Sequence, residues 1–184
     1  MRTICCTGAD SVDVVAGILN GGGVAVIPTD TVYGLAAHPA HADAVERLYA
    51  IKGRERRKKI ALLAADATAV EAFGGHLPPK ARELAERHWP GALTLVAGGE
   101  GFRVPDHAWT RRLLAACGGV LRVTSANLSG QRPATDAPKA LADVGLSADI
   151  VADDGVSPGG VPSTVVLVGD GGELEILRKG AISI

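Results

Sequence analysis

The chain has 184 residues, 19 Lys and Arg against 20 Asp and Glu, and a formal net charge of -1. Hydrophobic residues at 47% and charged residues at 21% exclude a disordered chain and describe one ordinary globular domain with a sizeable core. Aromatic residues at only 3% exclude a base-stacking platform, and the near-neutral charge excludes a protein that coats nucleic acid over its whole surface.

A strand is predicted over 2–6, with Cys5 and Cys6 as buried free thiols of a reducing compartment. No basic region followed by a hydrophobic signal segment is present, and no apolar run reaches membrane-spanning length, so a cytoplasmic protein without a membrane partner is expected. Val12, Val15, Ala16 and Leu19 repeat at helical spacing behind a cap at Asp10 or Ser11, and Gly21-Gly22-Gly23 ends that helix. A strand over 24–28 leads into the polar loop Pro28-Thr29-Asp30-Thr31-Val32-Tyr33-Gly34, and a helix over 41–51 follows. Strands are then predicted over 60–64, 92–97, 120–124, 148–152, 163–168 and 173–178, and helices over 66–73, 79–88, 110–117 and 137–144. Cys117 belongs to an Ala-rich helix and reads as core. Gly169-Asp170-Gly171-Gly172 joins the last two strands as a hairpin, so this alternation describes an α/β domain with a mixed sheet.

Between helix 41–51 and the next strand, Lys52, Arg54, Arg56, Arg57, Lys58 and Lys59 place six cations in eight residues. Like charges held together cost free energy unless something screens them, which suits a phosphate-bearing partner; a solvated basic loop is the plainer alternative. After strand 120–124 comes Ser125-Ala126-Asn127-Leu128-Ser129-Gly130, a loop able to grip a nucleotide or serve as a common turn. In open α/β sheets ligands collect in loops beyond strand ends, so three polar loops and one basic loop could share a cleft. No phosphate loop, GxGxxG, HExxH or GxSxG motif is present. The five histidines are scattered, and His107 reads as an exposed loop residue.

Taken in order, seven segments resemble the YrdC/TsaC family of threonylcarbamoyl-AMP synthases. They are Pro28–Leu35, Leu48–Arg54, Trp89–Leu95, Arg103–Pro105, Ser125–Gly130, Pro162–Val166 and Leu177–Gly180. The resemblance runs from about residue 11 to the last residue and implies a single YrdC-like domain over 1–184, the family's short form. It also implies a twisted sheet of parallel and antiparallel strands, flanked by helices, with an open basic cleft. The implied activity joins L-threonine, bicarbonate and ATP into L-threonylcarbamoyl-AMP and pyrophosphate. The product would pass to a threonylcarbamoyl transferase complex that modifies tRNA. Mg2+ would accompany ATP, with no protein side chain holding a metal.

By the family's K-x-R and S-x-N motifs, Lys52 and Arg54 would act on the phosphates and the carbamate, Arg54 as a planar fork and Lys52 as a mobile point charge. Lys58, Ser125, Asn127 and Arg178 would complete the ATP side. Thr31, Arg103, the backbone of Val123, and Ser163 would hold threonine, with Arg103 on its carboxylate. Gly34, Gly130 and Gly180 would allow tight loops or close backbone approach. Asp30 would orient a basic residue or cap its loop. The chain departs from the family in carrying Glu55 and Lys59 at two proline positions, Leu63 at a histidine position and Gly99 at a threonine position. The segment from Leu95 to Arg103 is also short. These departures gather on the amino-acid side, so a paralogue using another amine is a second reading. A module gripping RNA phosphates through 52–59 without catalysis is a third.

Overall fold

Helix α1 (Ser11–Asn20) shows how side chains set the local geometry. Asp10 stands at its N-cap without a side-chain capping bond. Ser11 turns inward instead, donating to the Cys6 carbonyl (3.0 Å) and accepting from Trp109 Nε1 (2.9 Å), which ties α1 to the core. Val15 and Leu19 are fully buried, and each such side chain contributes roughly 1.5–3 kcal/mol.

The structure is a computed structural model and describes residues 2–144 and 147–184. Within those residues one mixed sheet is formed by β1 (Arg2–Cys5), β2 (Val24–Ile27), β3 (Gly34–Ala37), β4 (Leu62–Ala64), β5 (Leu93–Ala97), β6 (Glu100–Arg103), β7 (Val120–Ser125), β8 (Ile150–Asp153), β9 (Thr164–Val168) and β10 (Leu174–Arg178). Their order is β1-β8-β2-β3-β7-β4-β6-β5-β9-β10. The pairs β1/β8, β2/β8, β4/β6 and β5/β9 are parallel, and the other neighbours are antiparallel. The remaining helices are α2 (Ala42–Lys52), α3 (Ala67–Ala72), α4 (Pro79–His88), α5 (Ala108–Ala116) and α6 (Ala137–Asp143).

Helices α1 and α5 cover one face of the β8-β2-β3 region through Val15, Leu19, Leu113 and Leu114. Helices α2 and α6 cover the other through Ala44, Leu48 and Ala140. Burial on both faces explains why β2 and β3 are buried at every position. Beyond β7 the layering changes. Helices α3 and α4 pack on Leu62, Leu93, Leu95 and Phe102. Residues of opposite parity in the same strands, Leu63, Thr94, Val96 and Arg103, turn toward the face those two helices leave alone. That face becomes the floor of a cleft.

Strands β3 and β6 are additions to the sequence reading. Gly34-Leu35-Ala36-Ala37 has little β-propensity and is held as a strand by pairing with β2 and β7. Strand β6 pairs with β5 across Gly98-Gly99, whose φ angles of 57° and 78° are those of a tight hairpin turn. Helix α5 starts earlier than the expected 110–117 because His107 caps it, its ring accepting from the Thr110 amide (3.3 Å). The same imidazole contacts Asp154 (3.1 Å), so His107 is a partly buried cap and the exposed-loop expectation is corrected. Cys6 and Cys117 are buried as expected, whereas Cys5 is exposed on the edge strand.

Candidate active site

The open face of β4, β5, β6 and β9 is walled by the loop after α2, the loop after β2 and the end of β10, enclosing about 800 Å3. Thr31, Arg54, Lys58, Arg103, Val123, Ser125, Ser163 and Arg178 all line this cleft, although they come from segments spread over most of the chain. Lys52 and Asn127 do not line it. They lie beneath it, each 4% exposed.

Lys52 ends α2, and Gly53 in the left-handed conformation (φ 61°) turns the chain toward the cleft. The Lys52 ammonium has four oxygens around it: the Ser125 carbonyl (2.7 Å), Ser125 Oγ (3.0 Å), the Asn127 carbonyl (2.9 Å) and Asn127 Oδ1 (3.1 Å). In return the Ser129 amide donates to the Lys52 carbonyl (2.8 Å). Asn127 spends its amide nitrogen on the carbonyls of Leu128 (2.8 Å) and Gln131 (2.9 Å). Lys52 is therefore a staple under the Ser125 loop, and the mobile point charge expected of it is not what the structure places there. Burial, together with the nearby Arg54 and Arg178, lowers its ammonium from 10.5 to about 8.

The staple orients a proton. An ammonium has no acceptor, so Ser125 Oγ must accept from Lys52, leaving its own hydrogen for another oxygen. Ser125 is thus prepared to donate into the cleft. Arg54 folds back over its own loop, Nε on the Lys58 carbonyl (2.7 Å) and Nη2 on the Lys59 carbonyl (3.2 Å). Arg178 clamps Ser163, contacting its carbonyl through Nη2 (2.7 Å) and its Oγ (3.1 Å). Ser163 Oγ also shares a hydrogen bond with Thr94 Oγ1 (2.8 Å).

The far end is built on Arg103, which is 5% exposed. Its guanidinium donates to the Gly91 carbonyl (2.9 Å), Thr31 Oγ1 (2.9 Å) and Asp30 Oδ1 (2.5 Å). Asp30 thus orients a basic residue. Three of the five guanidinium N–H groups are engaged, which leaves two. Thr29 donates to the Val32 carbonyl (2.7 Å), so Thr31 must donate to Thr29 (3.0 Å) while accepting from Arg103. Toward a ligand Thr31 can only accept. The Val123 amide is spent on the Ala61 carbonyl (2.9 Å), so that residue meets the cleft through its other atoms.

The basic run is less bare than its composition suggests. Arg56 pairs with Glu46 (2.6 Å), Arg57 and Lys58 with Glu55, and Lys59 with Glu100 (3.2 Å). Glu100 also accepts from Arg122 (2.6 Å), linking the basic loop to the β5–β6 hairpin. Such exposed pairs are worth only about 0–1 kcal/mol, and a phosphate could displace a carboxylate from them. Thr94 and Glu100 are the residues here that sequence reasoning gave no role, whereas Asp30 was already read as orienting a basic residue or capping its loop. Among the described residues no three His, Cys, Asp or Glu side chains gather as a metal-binding group. None of the described helices is long and apolar enough to cross a membrane.

Comparison with known proteins gives a consistent result. The family model Sua5_yciO_yrdC, described as "Telomere recombination", matches residues 17–180. The chain is 37% identical to the threonylcarbamoyl-AMP synthase of Bacillus subtilis, with 91% of this chain and 53% of the relative covered. It therefore spans about half the length of that protein. It is 33% identical to the threonylcarbamoyl-AMP synthase of Thiobacillus denitrificans, over 87% of this chain and 90% of the relative. Among solved structures, P. abyssi Sua5 complexed with L-threonine superimposes with a TM-score of 0.89 at 28% identity, covering 97% of this chain and 57% of that one. E. coli YciO shares the fold, with a TM-score of 0.85 at 23% identity, covering 97% of this chain and 94% of its own.

Proposed function

The chain belongs to the Sua5/YciO/YrdC family, and from that premise we propose that it forms L-threonylcarbamoyl-AMP and pyrophosphate from L-threonine, bicarbonate and ATP. One observation carries the reading. The cleft has two polar ends, a buried guanidinium held by Asp30 and Thr31 and an open basic end with Ser125 ready to donate, on one continuous floor. Two anions that must react can each be held at one end, with their charge offset at fixed positions.

In the proposed reaction the threonine amine takes up bicarbonate, losing water, to give a carbamate. A carbamate oxygen attacks the α-phosphorus of ATP and pyrophosphate leaves. Arg103 offers its two remaining N–H groups to the threonine carboxylate. Thr31 accepts from the amine, and Ser163 and Val123 shape the rest of that end. Arg54, Lys58 and Arg178 face the triphosphate, which brings Mg2+ with it. Ser125 donates to a phosphate oxygen, while Lys52 and Asn127 hold Ser125 in place. The named relatives and the L-threonine complex of the P. abyssi protein support threonine as the amine. The adenylate would then serve a transferase that modifies tRNA.

The test is pyrophosphate release by the purified chain with ATP, Mg2+ and bicarbonate, with and without L-threonine, and identification of the adenylate by mass. Threonine-dependent release with the threonylcarbamoyl-adenylate mass is expected. Release that shows no preference for threonine would instead favour a paralogue using another amine.

A further inference from the structure

Glu100 is an acid beside the basic wall of the cleft, where a site for anions has no evident use for one. It opens β6 and accepts from two cations at once, Arg122 of β7 on Oε2 (2.6 Å) and Lys59 of the basic wall on Oε1 (3.2 Å). The Lys59 ammonium has a second acceptor in the Gly99 carbonyl (2.9 Å), and Arg122 also donates to the Ile60 carbonyl (2.8 Å). Residues 59 and 60 are thereby tied to the β5–β6 hairpin and to β7. Arg54 rests on the same short segment, with Nε on the Lys58 carbonyl (2.7 Å) and Nη2 on the Lys59 carbonyl (3.2 Å). Those bonds use two of the five guanidinium N–H groups and leave three for a ligand.

The other ion pairs of the basic run do not reach the sheet. Arg57 and Lys58 pair with Glu55 inside their own loop, and Arg56 pairs with Glu46 of α2. The Glu100 carboxylate, in contrast, is 29% exposed and is already anchored by Arg122 before Lys59 meets it. Lys59 also stands at a position where the family carries proline. The stiffness that a pyrrolidine ring would give this segment comes here from side-chain contacts. We propose that Glu100 is a positioning residue for Arg54, the guanidinium that meets the triphosphate. Through Lys59 it fixes the carbonyls of residues 58 and 59, and these aim Arg54 into the cleft. An acid thereby strengthens the binding of an anion. ATP as the ligand rests on the reaction proposed above, whereas the orientation of Arg54 does not.

The sign of the effect separates this role from a plain charge effect. A carboxylate acting only through its charge would repel ATP, and its removal would tighten binding. Glu100→Gln, whose amide has one acceptor oxygen for two cations, should instead weaken ATP binding about three- to fivefold, with kcat changed less than about twofold. Calorimetric titration of ATP and Mg2+ into the full chain, beside KM and kcat from pyrophosphate release, measures this. Lys59→Met should also weaken binding, and most of both losses should disappear in the Arg54→Ala background. Arg57→Met removes a cleft cation paired only within its own loop, and should act by the same factor in both backgrounds. A second readout needs no ligand. The Arg54 Nε–H resonance, identified by its loss in Arg54→Ala, should exchange with water faster in Glu100→Gln and Lys59→Met than in the native chain. Lys59 is 63% exposed, so Lys59→Met tests the contact even if Glu100→Gln does not fold. Tighter or unchanged ATP binding in Glu100→Gln overturns the proposal. So do equal losses from Lys59→Met in both backgrounds, or an Arg54 resonance that neither substitution alters. A native chain that binds no ATP while that resonance responds as expected would sink the proposed reaction and leave the positioning of Arg54 supported.

Discussion

The Lys52 ammonium is charged, buried and surrounded by oxygens of the Ser125–Asn127 segment, so its value lies in what it holds. Replacing it by alanine leaves Ser125 and Asn127 without their shared donor. Turnover in Lys52→Ala is expected to fall at least about tenfold, roughly 1.4 kcal/mol of barrier, and similarly in Arg54→Ala. Wild-type rates in both variants would refute the site. A pH dependence follows from the same group. The staple needs the charged form, so pyrophosphate release should decline as pH rises through about 8. Stability should move the other way. Between about 8 and the ordinary 10.5 the unfolded chain keeps the proton that the folded chain releases. Raising the pH through that window therefore favours the folded state. Scanning calorimetry beside the rate profile checks both signs, and a parallel loss of stability and rate would count against Lys52 as the titrating group. None of this was legible in Ile51-Lys52-Gly53-Arg54, because a motif names a residue type and not the direction of its side chain.

Among the elements, the hairpin of β9 and β10 brings Arg178 over Ser163, and Gly180 makes that approach possible. A Cβ at Gly180 would stand 2.4 Å from both the Pro162 carbonyl oxygen and the Ser163 carbonyl carbon. These are backbone atoms, which have little room to shift. Gly180→Ala is expected to cost about 1–3 kcal/mol in urea unfolding and to weaken substrate binding by displacing Ser163. An unchanged midpoint would show that the loop yields. The helices of the described residues were legible because apolar periodicity is local, and the Gly169–Gly172 turn marked the last hairpin for the same reason. Strand β3 was not, since Gly-Leu-Ala-Ala becomes a strand only between β2 and β7. Strand β6 hid behind the same Gly98-Gly99 pair that shortens its turn.

For the whole molecule, the near-neutral charge and the pairing of Arg56, Arg57, Lys58 and Lys59 with Glu46, Glu55 and Glu100 bear on the RNA-binding reading. Joint reversal of Arg56, Arg57 and Lys59 to glutamate should lower turnover less than Lys52→Ala does. If RNA binding is instead the function, that variant should lose it, with a shallower salt dependence. Filter binding across a salt series, set beside the turnover assay, separates the two readings. The α/β alternation, the mixed sheet and the roster of polar and basic residues were all readable along the chain, because periodicity, turn chemistry and motif order are properties of neighbouring residues. Which members of that roster face the cleft, and which support it from below, emerges only when the strands are assembled. Lys52 meets Ser125 across 73 positions of chain, and Arg103 meets Asp30 across another 73. Pairings at that distance are set by the order in which strands join the sheet, which no local pattern encodes.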